Sequence, residues 1–118
     1  MRLKGPKMKL EKDGMLLRVL IDETDIYKGK NVYEQIVLKA KELNLAGATV
    51  IRGIMGYGMD KRMHSAKLLR LSENLPIIVE IIDTQENLNK LLPFLDEVVQ
   101  EGLITLDKNV KIIKYKLS

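Results

Sequence analysis

Two short runs of aliphatic residues constrain this chain most, because each is apolar on both of its faces. They are residues 15–22 (MLLRVLID) and 77–83 (IIVEIID). Alternate side chains of an extended strand point to opposite faces of a sheet. One face then carries Met15, Leu17, Val19, Ile21, Ile77, Val79 and Ile81, and the other carries Leu16, Arg18, Leu20, Asp22, Ile78, Glu80 and Ile82. The pattern predicts two central strands, each with a second apolar face.

The remaining periodicity supplies two helices and two further strands. Asn31 and Glu34 have capping-box spacing ahead of an apolar stripe, which predicts a helix ending near Asn44. Asp83 or Thr84 is expected to cap a second helix. The other predicted features are a strand over 48–55, a possible short helix over 64–71, a break in the second helix at Pro93, a helix end at Gly102, a short fourth strand over 103–106 and a possible fifth over 110–115.

The order β-α-β-β-α-β is typical of an α+β, ferredoxin-like βαββαβ fold. It predicts an antiparallel sheet of strand order 4-1-3-2 with two helices on one face. We expect residues 1–118 to form a single domain, with 1–13 as a charged lead-in that could extend the first strand.

The sheet face without helices predicts an oligomer. Leu16, Leu20, Ile78 and Ile82 would form an apolar patch on it, and a patch of that kind usually marks an interface. Arg18, Glu80 and Arg52 are expected on the same face, with Arg18 and Glu80 paired across neighbouring strands. An exposed cross-strand ion pair of little energetic weight is the alternative.

Composition excludes several classes of protein. Charged residues make up 31% of the chain and apolar residues 46%, which is globular, and no run reaches the ~20 apolar residues of a membrane span. With no cysteine there is no thiolate metal site or cysteine nucleophile. The net charge of +4 arises from interspersed acids and bases, which favours a solvated surface over a nucleic-acid interface. We therefore expect a cytoplasmic protein without membrane insertion.

The segment 52–64 (RGIMGYGMDKRMH) carries the chemistry most suited to a ligand. Its three glycines allow backbone N–H groups to approach an anion, and Lys61, Arg62 and His64 follow closely. The spacing matches neither the dinucleotide fingerprint nor the Walker A motif. On local chemistry alone, an excursion with ordinary turn glycines explains the segment equally well.

Longer stretches of the sequence are similar to a known family. They are AGATVIRGIMGYG at 46–58, LSENLPIIVEIID at 71–83, EGLITL at 101–106 and KGKNVYEQIV at 28–37. Across residues 15–115 the chain resembles the uncharacterised PII-like protein family. The resemblance implies a ferredoxin-like subunit in a homotrimer whose sheets face inward, with an adenine nucleotide (AMP, ADP or ATP) in clefts between subunits.

The resemblance also implies roles for individual residues. The 56–75 loop would report ligand state to a target protein, as a PII T-loop does. No catalytic residue and no metal ligand is expected, so the protein would be a signalling or regulatory protein and not an enzyme. The residues expected to bind the ligand are Lys28, Lys30, Arg52, Gly53, Met55, Gly56, Tyr57 and Gly58.

Other functions fit the residues less well. A metal site would have to rest on carboxylates around the single histidine, and Asp22, Glu23 and Asp25 form either a cation site beside a phosphate or a solvated turn. An RNA-binding ferredoxin-like domain needs sheet aromatics, which the predicted central strands lack. An acylphosphatase-type enzyme needs a phosphate-binding loop after the first strand, where this chain is acidic. A structural oligomer without a ligand stays open.

Overall fold

The computed structural model describes residues 6–58, 61–65 and 74–117. These residues form a four-stranded antiparallel sheet, two short two-stranded pairs and three helices. In chain order the elements are β1 Lys7–Asp22, β2 Ile26–Tyr27, β3 Lys30–Asn31, α1 Val32–Glu42, β4 Gly47–Arg52, β5 Met55–Gly56, β6 His64–Ser65, β7 Pro76–Asp83, α2 Gln85–Asn89, α3 Leu92–Val98 and β8 Leu103–Leu117.

The main sheet has the order β4-β7-β1-β8. These strands are the second, third, first and fourth of the predicted series, so the predicted 4-1-3-2 order and the ferredoxin-like fold class are confirmed. β1 lies between β7 and β8, with Arg18 directly opposite Glu80 on β7 and Thr105 on β8.

The core lies between this sheet and the helices. The predicted inward set of β1 and β7 is buried, and its outward set is only partly covered. Each aliphatic side chain removed from water contributes about 1.5–3 kcal/mol. The helices complete the core with Val32, Ile36, Ala40, Leu88, Leu91, Leu95 and Val98.

Local capping starts the helices where the sequence predicts them, although α3 ends at Val98 and not at the predicted Gly102. The Asn31 side chain accepts a hydrogen bond from the Glu34 N–H (3.2 Å), which satisfies an otherwise unpaired donor of the first turn. Thr84, not Asp83, caps α2 by accepting from the Asn87 N–H (3.2 Å). The second helix is divided into α2 and α3, and Pro93 lies in the first turn of α3, where its missing N–H costs no hydrogen bond.

The predicted second strand is too long. It ends at Arg52. The Gly53 N–H still donates to the Pro76 carbonyl (2.8 Å) at the start of β7, but Pro76 has no N–H with which to continue the pairing. Met55–Gly56 then pairs with His64–Ser65, so the predicted helix does not include residues 64 and 65. The remainder of that predicted helix lies outside the described residues.

The predicted fourth and fifth strands are one long strand, β8, which pairs with β1 along nearly its whole length. Asp13 and Gly14 therefore lie within β1. The register shifts between Gly14 and Leu16, where β8 has an extra residue. A Cβ at Gly14 would lie 2.3 Å from the Ile112 Cδ1, which explains the glycine.

Residues 7–14 and 110–117 form a two-stranded extension beyond β7, which we call the ribbon. Much of the expected N-terminal lead-in is thus a strand. The chain is correspondingly elongated, with a radius of gyration of 17.0 Å and extents of 51 × 37 × 28 Å. A compact domain of about 100 residues has a radius of gyration of about 13 Å.

The open face of the sheet carries the predicted ion pair. The Arg18 Nε lies 3.0 Å from a Glu80 carboxylate oxygen. Arg52 was wrongly expected on this face, since its partner across the strands is Ile77, which points into the core. Among the described residues, no helix is long and apolar enough to cross a membrane.

Asp83 joins three segments at the end of β7. Its carboxylate accepts hydrogen bonds from the Ala46 N–H (2.9 Å), the Thr84 N–H (2.6 Å) and the Asn87 side chain (2.9 Å). Burial alone would raise the pKa of Asp83, but these hydrogen bonds lower it below the ordinary value of 3.8. Its contribution to stability is therefore present above that value and lost as the pH falls through the lowered pKa.

We predict that Asp83→Ala lowers the free energy of unfolding by about 2–4 kcal/mol, because it leaves buried donors without an acceptor. The loss should be full at neutral pH and shrink in acid, where wild-type Asp83 is itself protonated. Chemical denaturation across this pH range measures it. Asp96→Asn, an exposed carboxylate on α3, is the control and should change stability little.

Candidate functional site

A pocket of about 560 Å³ lies at the edge of the sheet where β1 ends and β7 and β8 begin. The β5–β6 pair forms one wall, and the turn before β8 forms another. The pocket is lined by Leu20, Ile21, Asp22, Asp25, Gly53, Met55, Gly56, Tyr57, Gly58, Lys61, His64, Pro76, Ile77, Ile78, Glu101, Gly102 and Leu103.

The wall that includes Gly53 and Gly56 depends on close contact with Pro76. A Cβ at Gly53 would lie 2.8 Å from the Pro76 Cγ, and one at Gly56 would lie 3.1 Å from it. Both distances are shorter than ordinary carbon contacts, so a side chain would push this wall away from β7. Gly58 differs, because a Cβ there meets no atom within 4 Å.

Gly102 forms the opposite side of the pocket. Its φ is +151°, and a Cβ there would lie 2.5 Å from the Leu20 carbonyl oxygen, so only glycine fits. Sequence reasoning treated Gly102 only as a helix end and did not assign Glu101 or Gly102 to the site. The one available signal was the EG pair directly before a strand.

Five of the eight predicted ligand residues line this pocket: Gly53, Met55, Gly56, Tyr57 and Gly58. The three predicted cations, Lys28, Lys30 and Arg52, do not. Lys28 lies 3.7 Å from the Glu97 carboxylate, on the β2–β3 turn. Lys30 pairs with Tyr27 in that turn, and its carbonyl accepts a hydrogen bond from Gln35.

Arg52 is held by Glu23 beside the pocket. The guanidinium donates two hydrogen bonds to the Glu23 carboxylate, at 2.8 and 3.1 Å. The same carboxylate accepts from the Leu75 N–H (3.0 Å). Glu23 therefore joins the end of β1 to the end of β4 and to the residue that precedes β7. The hydrogen bonds from Arg52 and then Leu75 lower the pKa of Glu23 below its ordinary value of 4.5.

The pocket has carboxylates on one side and a lysine on the other. Asp22, Asp25 and Glu101 lie where β1 ends and β8 begins, and Lys61 lies beyond the glycines, with its Nζ 5.6 Å from the Tyr57 ring centroid. Burial raises the pKa of Asp25, and the neighbouring charges of Asp22 and Glu101 raise it further, against a hydrogen bond from the Asp22 N–H. Among the described residues that line the pocket, Lys61 is the lysine that favours an anion.

Within residues 6–58, 61–65 and 74–117, no three potential metal-ligating side chains come close enough to hold a metal ion. Two carboxylates of the predicted acidic cluster, those of Glu23 and Asp25, accept hydrogen bonds from different partners. Glu23 binds Arg52, whereas the Asp25 carboxylate accepts from the Asp22 N–H (3.2 Å).

Comparison with protein families decides the relationship. The family DUF190, described as "Uncharacterized ACR, COG1993", matches residues 14–111. The chain belongs to this DUF190 family. A UPF0166 protein of Aquifex aeolicus (strain VF5) is 42% identical over 100 residues, which cover 83% of this chain and 91% of that protein. UPF0166 protein MJ1524 of Methanocaldococcus jannaschii is 39% identical over 92 residues, which cover 77% of this chain and 84% of that protein.

Solved structures share the fold of this DUF190 chain. CPII, a nitrogen regulatory PII-like protein from Thiomonas intermedia K12, was solved bound to ADP, AMP and bicarbonate. It matches with a TM-score of 0.60 and 15% sequence identity, over 89% of this chain and 91% of that chain. A second CPII structure, bound to ADP and bicarbonate, gives a TM-score of 0.58. The predicted resemblance to an uncharacterised PII-like family is confirmed.

We predict that Glu23→Gln lowers the thermal unfolding midpoint at neutral pH, because it removes the carboxylate that Arg52 binds. Since the pKa of Glu23 is lowered, its contribution is present above the ordinary pKa and disappears as the pH falls through the lowered one. Variant and wild type should therefore converge in acid. Thermal melts across that range measure this, with the exposed Asp96→Asn as control. Equal midpoints at neutral pH would show that the Glu23–Arg52 pair does not hold this region.

Proposed function

We propose that this DUF190 protein is a PII-like regulatory protein, not an enzyme, and that it binds an adenine nucleotide in the pocket at the edge of its sheet. The observation that carries the proposal is the pocket itself: a glycine-lined wall held against Pro76, an apolar floor and one lysine, in a volume of about 560 Å³. Ligand sites commonly have volumes of about 300–1,000 Å³. The shared fold with CPII, solved with ADP and AMP, supports the same ligand class.

The two sides of the pocket suit different parts of a nucleotide. Backbone N–H groups of residues 56–58 and the Lys61 ammonium would bind phosphate oxygens. Tyr57 would stack on the base, whereas Leu20 and Ile78 offer apolar surface to it. Asp22 and Glu101 would accept hydrogen bonds from the ribose hydroxyls. Lys28, Lys30 and Arg52 do not line the pocket of their own subunit, so they would not bind the phosphate there.

We propose that the protein forms a homotrimer in which neighbouring subunits cover the open face of each sheet. Leu16 and Ile82 are half-buried on this face, and Ile51 and Leu103 at its edges are exposed. Leu103 also lines the pocket, together with Leu20 and Ile78 of the same face. A second subunit placed on this face would therefore also close the pocket. This continuity favours a ligand site between subunits.

Signal output is proposed to run through the predicted 56–75 loop, whose first residues, Gly56, Tyr57 and Gly58, line the pocket. A nucleotide bound against Gly56 and Tyr57 would contact the first residues of that loop directly. A target protein that contacts the loop would then sense whether the pocket is occupied.

One observation favours a second candidate function, a structural oligomer without a nucleotide. Three carboxylates, those of Asp22, Asp25 and Glu101, line the pocket. Among the described residues of this subunit, Lys61 is the one lysine or arginine that lines it. Ionised carboxylates repel phosphate, so an empty or differently occupied pocket agrees with this charge. Direct titration separates the two functions.

The experiment is calorimetric titration with AMP, ADP, ATP and cyclic AMP, on protein whose oligomeric mass has been measured. The proposal predicts saturable micromolar binding at about one site per subunit, because each subunit contributes one pocket. No heat with any nucleotide, on a folded oligomer, would contradict nucleotide binding and support the structural alternative.

We predict that Gly56→Val abolishes nucleotide binding while the oligomer still forms. A valine side chain would collide with Pro76 and push the glycine-lined wall away from β7. Gly58→Ala is the matched control, since a Cβ there meets open space, and should retain binding within a few-fold. Titration of both variants, with mass measured by light scattering, tests this. Wild-type affinity in Gly56→Val would place the ligand elsewhere.

We also predict that Ile82→Glu dissociates the oligomer, because it adds a second acid beside Glu80 on the apolar open face. Leu38→Glu is the matched control on the outer surface of α1, where the side chain is 65% exposed. Light scattering at micromolar concentration should give a monomer for the first variant and the wild-type mass for the second. An unchanged mass for Ile82→Glu would exclude the open face as the interface.

A further inference from the structure

The ribbon is poorly explained as part of an isolated subunit. Its eight residues per strand extend about 25 Å at ~3.3 Å per residue. A two-stranded ribbon is marginally stable in water unless it packs on something. In the described part of the chain, β7 ends at the base of the ribbon, because Asp83 pairs with Met15.

Both sides of the ribbon expose apolar side chains. Paired residues share a side, so Ile113, Tyr115 and Leu117 lie on one side, and they are 46%, 57% and 51% exposed. Met8 and Leu10, on the other side, are 44% and 50% exposed. A projection that is apolar on both sides and unsupported by its own subunit is typical of an element that contacts another chain.

One of these sides continues the open face of the sheet. Alternation along β1 places Leu10 and Gly14 on the side of Leu16, and the Ile112 side chain occupies the space above Gly14. A groove of about 490 Å³ lies at this junction, between residues 110–115 of the ribbon and Ile82 of the open face. The apolar surface proposed to be covered in the oligomer thus extends along the ribbon.

The charge of the ribbon indicates what kind of surface covers it. Residues 7–14 and 110–117 contain six lysines and two acids, whereas the remainder of the chain contains fourteen basic and fourteen acidic residues. The whole net charge of +4 is therefore accounted for by the ribbon. The segment 85–101 has the opposite charge, with four acids and one lysine across α2, α3 and the following turn. Glu97 pairs with Lys28 and Glu101 lines the pocket, which leaves the exposed Glu86 and Asp96 on this surface. One copy of the chain thus offers a basic ribbon and an acidic surface to bind it.

We propose that the ribbon packs against a second copy of this chain, with its aliphatic residues buried and its lysines facing the acidic 85–101 surface of that copy. Seven of its sixteen residues are apolar, which disfavours a polyanion as the partner. The inference rests on the proposed oligomer but not on nucleotide binding, and it assigns a role to the residues outside the ferredoxin-like core.

Photo-cross-linking tests this contact directly. Benzoylphenylalanine replaces Leu10, on the same side of the ribbon as Lys114 and Lys116, in one variant and Leu38 on α1 in the control, both of which are exposed positions. Irradiation of the oligomer should give covalent dimers from position 10, cross-linked to a peptide within 85–101, and none from position 38. Only monomers from position 10, in a preparation of wild-type oligomeric mass, would overturn the inference and leave the proposed assembly intact.

Charge reversal supplies an independent measurement. The double variant Lys114→Glu, Lys116→Glu should raise the concentration at which the oligomer dissociates by at least about tenfold. Lys41→Glu, an exposed lysine on α1, should not. If the ribbon instead binds a polyanion, the double variant should lose binding to heparin while the concentration at which the oligomer dissociates stays unchanged. That result would overturn the inference.

Discussion

The antiparallel pairing of β1 with β7 is the constraint on which the rest of the structure depends. It places Met15, Leu17 and Val19 beside Ile81 and Val79 on the face that α1, α2 and α3 pack against. A shift of one residue would move every one of these side chains to the other face. The same register sets Arg18 against Glu80 on the open face, so one pairing determines the core, the surface left for a partner and the strand ends at the pocket.

The pocket is a consequence of how the strands end. β4 stops at Arg52 because its next partner, Pro76, has no N–H to continue the pairing, and β8 starts after Gly102, which fits under the Leu20 carbonyl. Glu23 then joins Arg52 to Leu75, so the two segments that flank the glycine-lined wall are tied together by one carboxylate. Since Leu20, Ile78 and Leu103 belong both to the pocket and to the open face, ligand binding and subunit association would share residues.

Much of the fold could be predicted because local signals agreed with each other. The alternation in 15–22 and 77–83, the Asn31 cap and the Pro93 break required no knowledge of distant residues. The end of β4 required the contact of Gly53 with Pro76, 23 positions away. Residues 1–13 and 110–115 were expected to be able to form strands, but their pairing into the ribbon was missed, because both segments are rich in lysine and lie about 100 residues apart in the sequence. The family resemblance pointed to the glycines of 53–58, which line the pocket wall, but the contacts of Lys28 and Arg52 depended on Glu97 and Glu23, which only the folded chain brings near.

The central claim, that a nucleotide binds at the glycine-lined edge of the sheet, is tested most directly by hydrogen–deuterium exchange with and without ADP. Backbone N–H groups that contact a ligand exchange more slowly. The account predicts slower exchange in residues 53–58 and 101–103 with ADP, and unchanged exchange in α1. Saturating ADP that leaves both of these segments unprotected, or protects only a different surface, would contradict it.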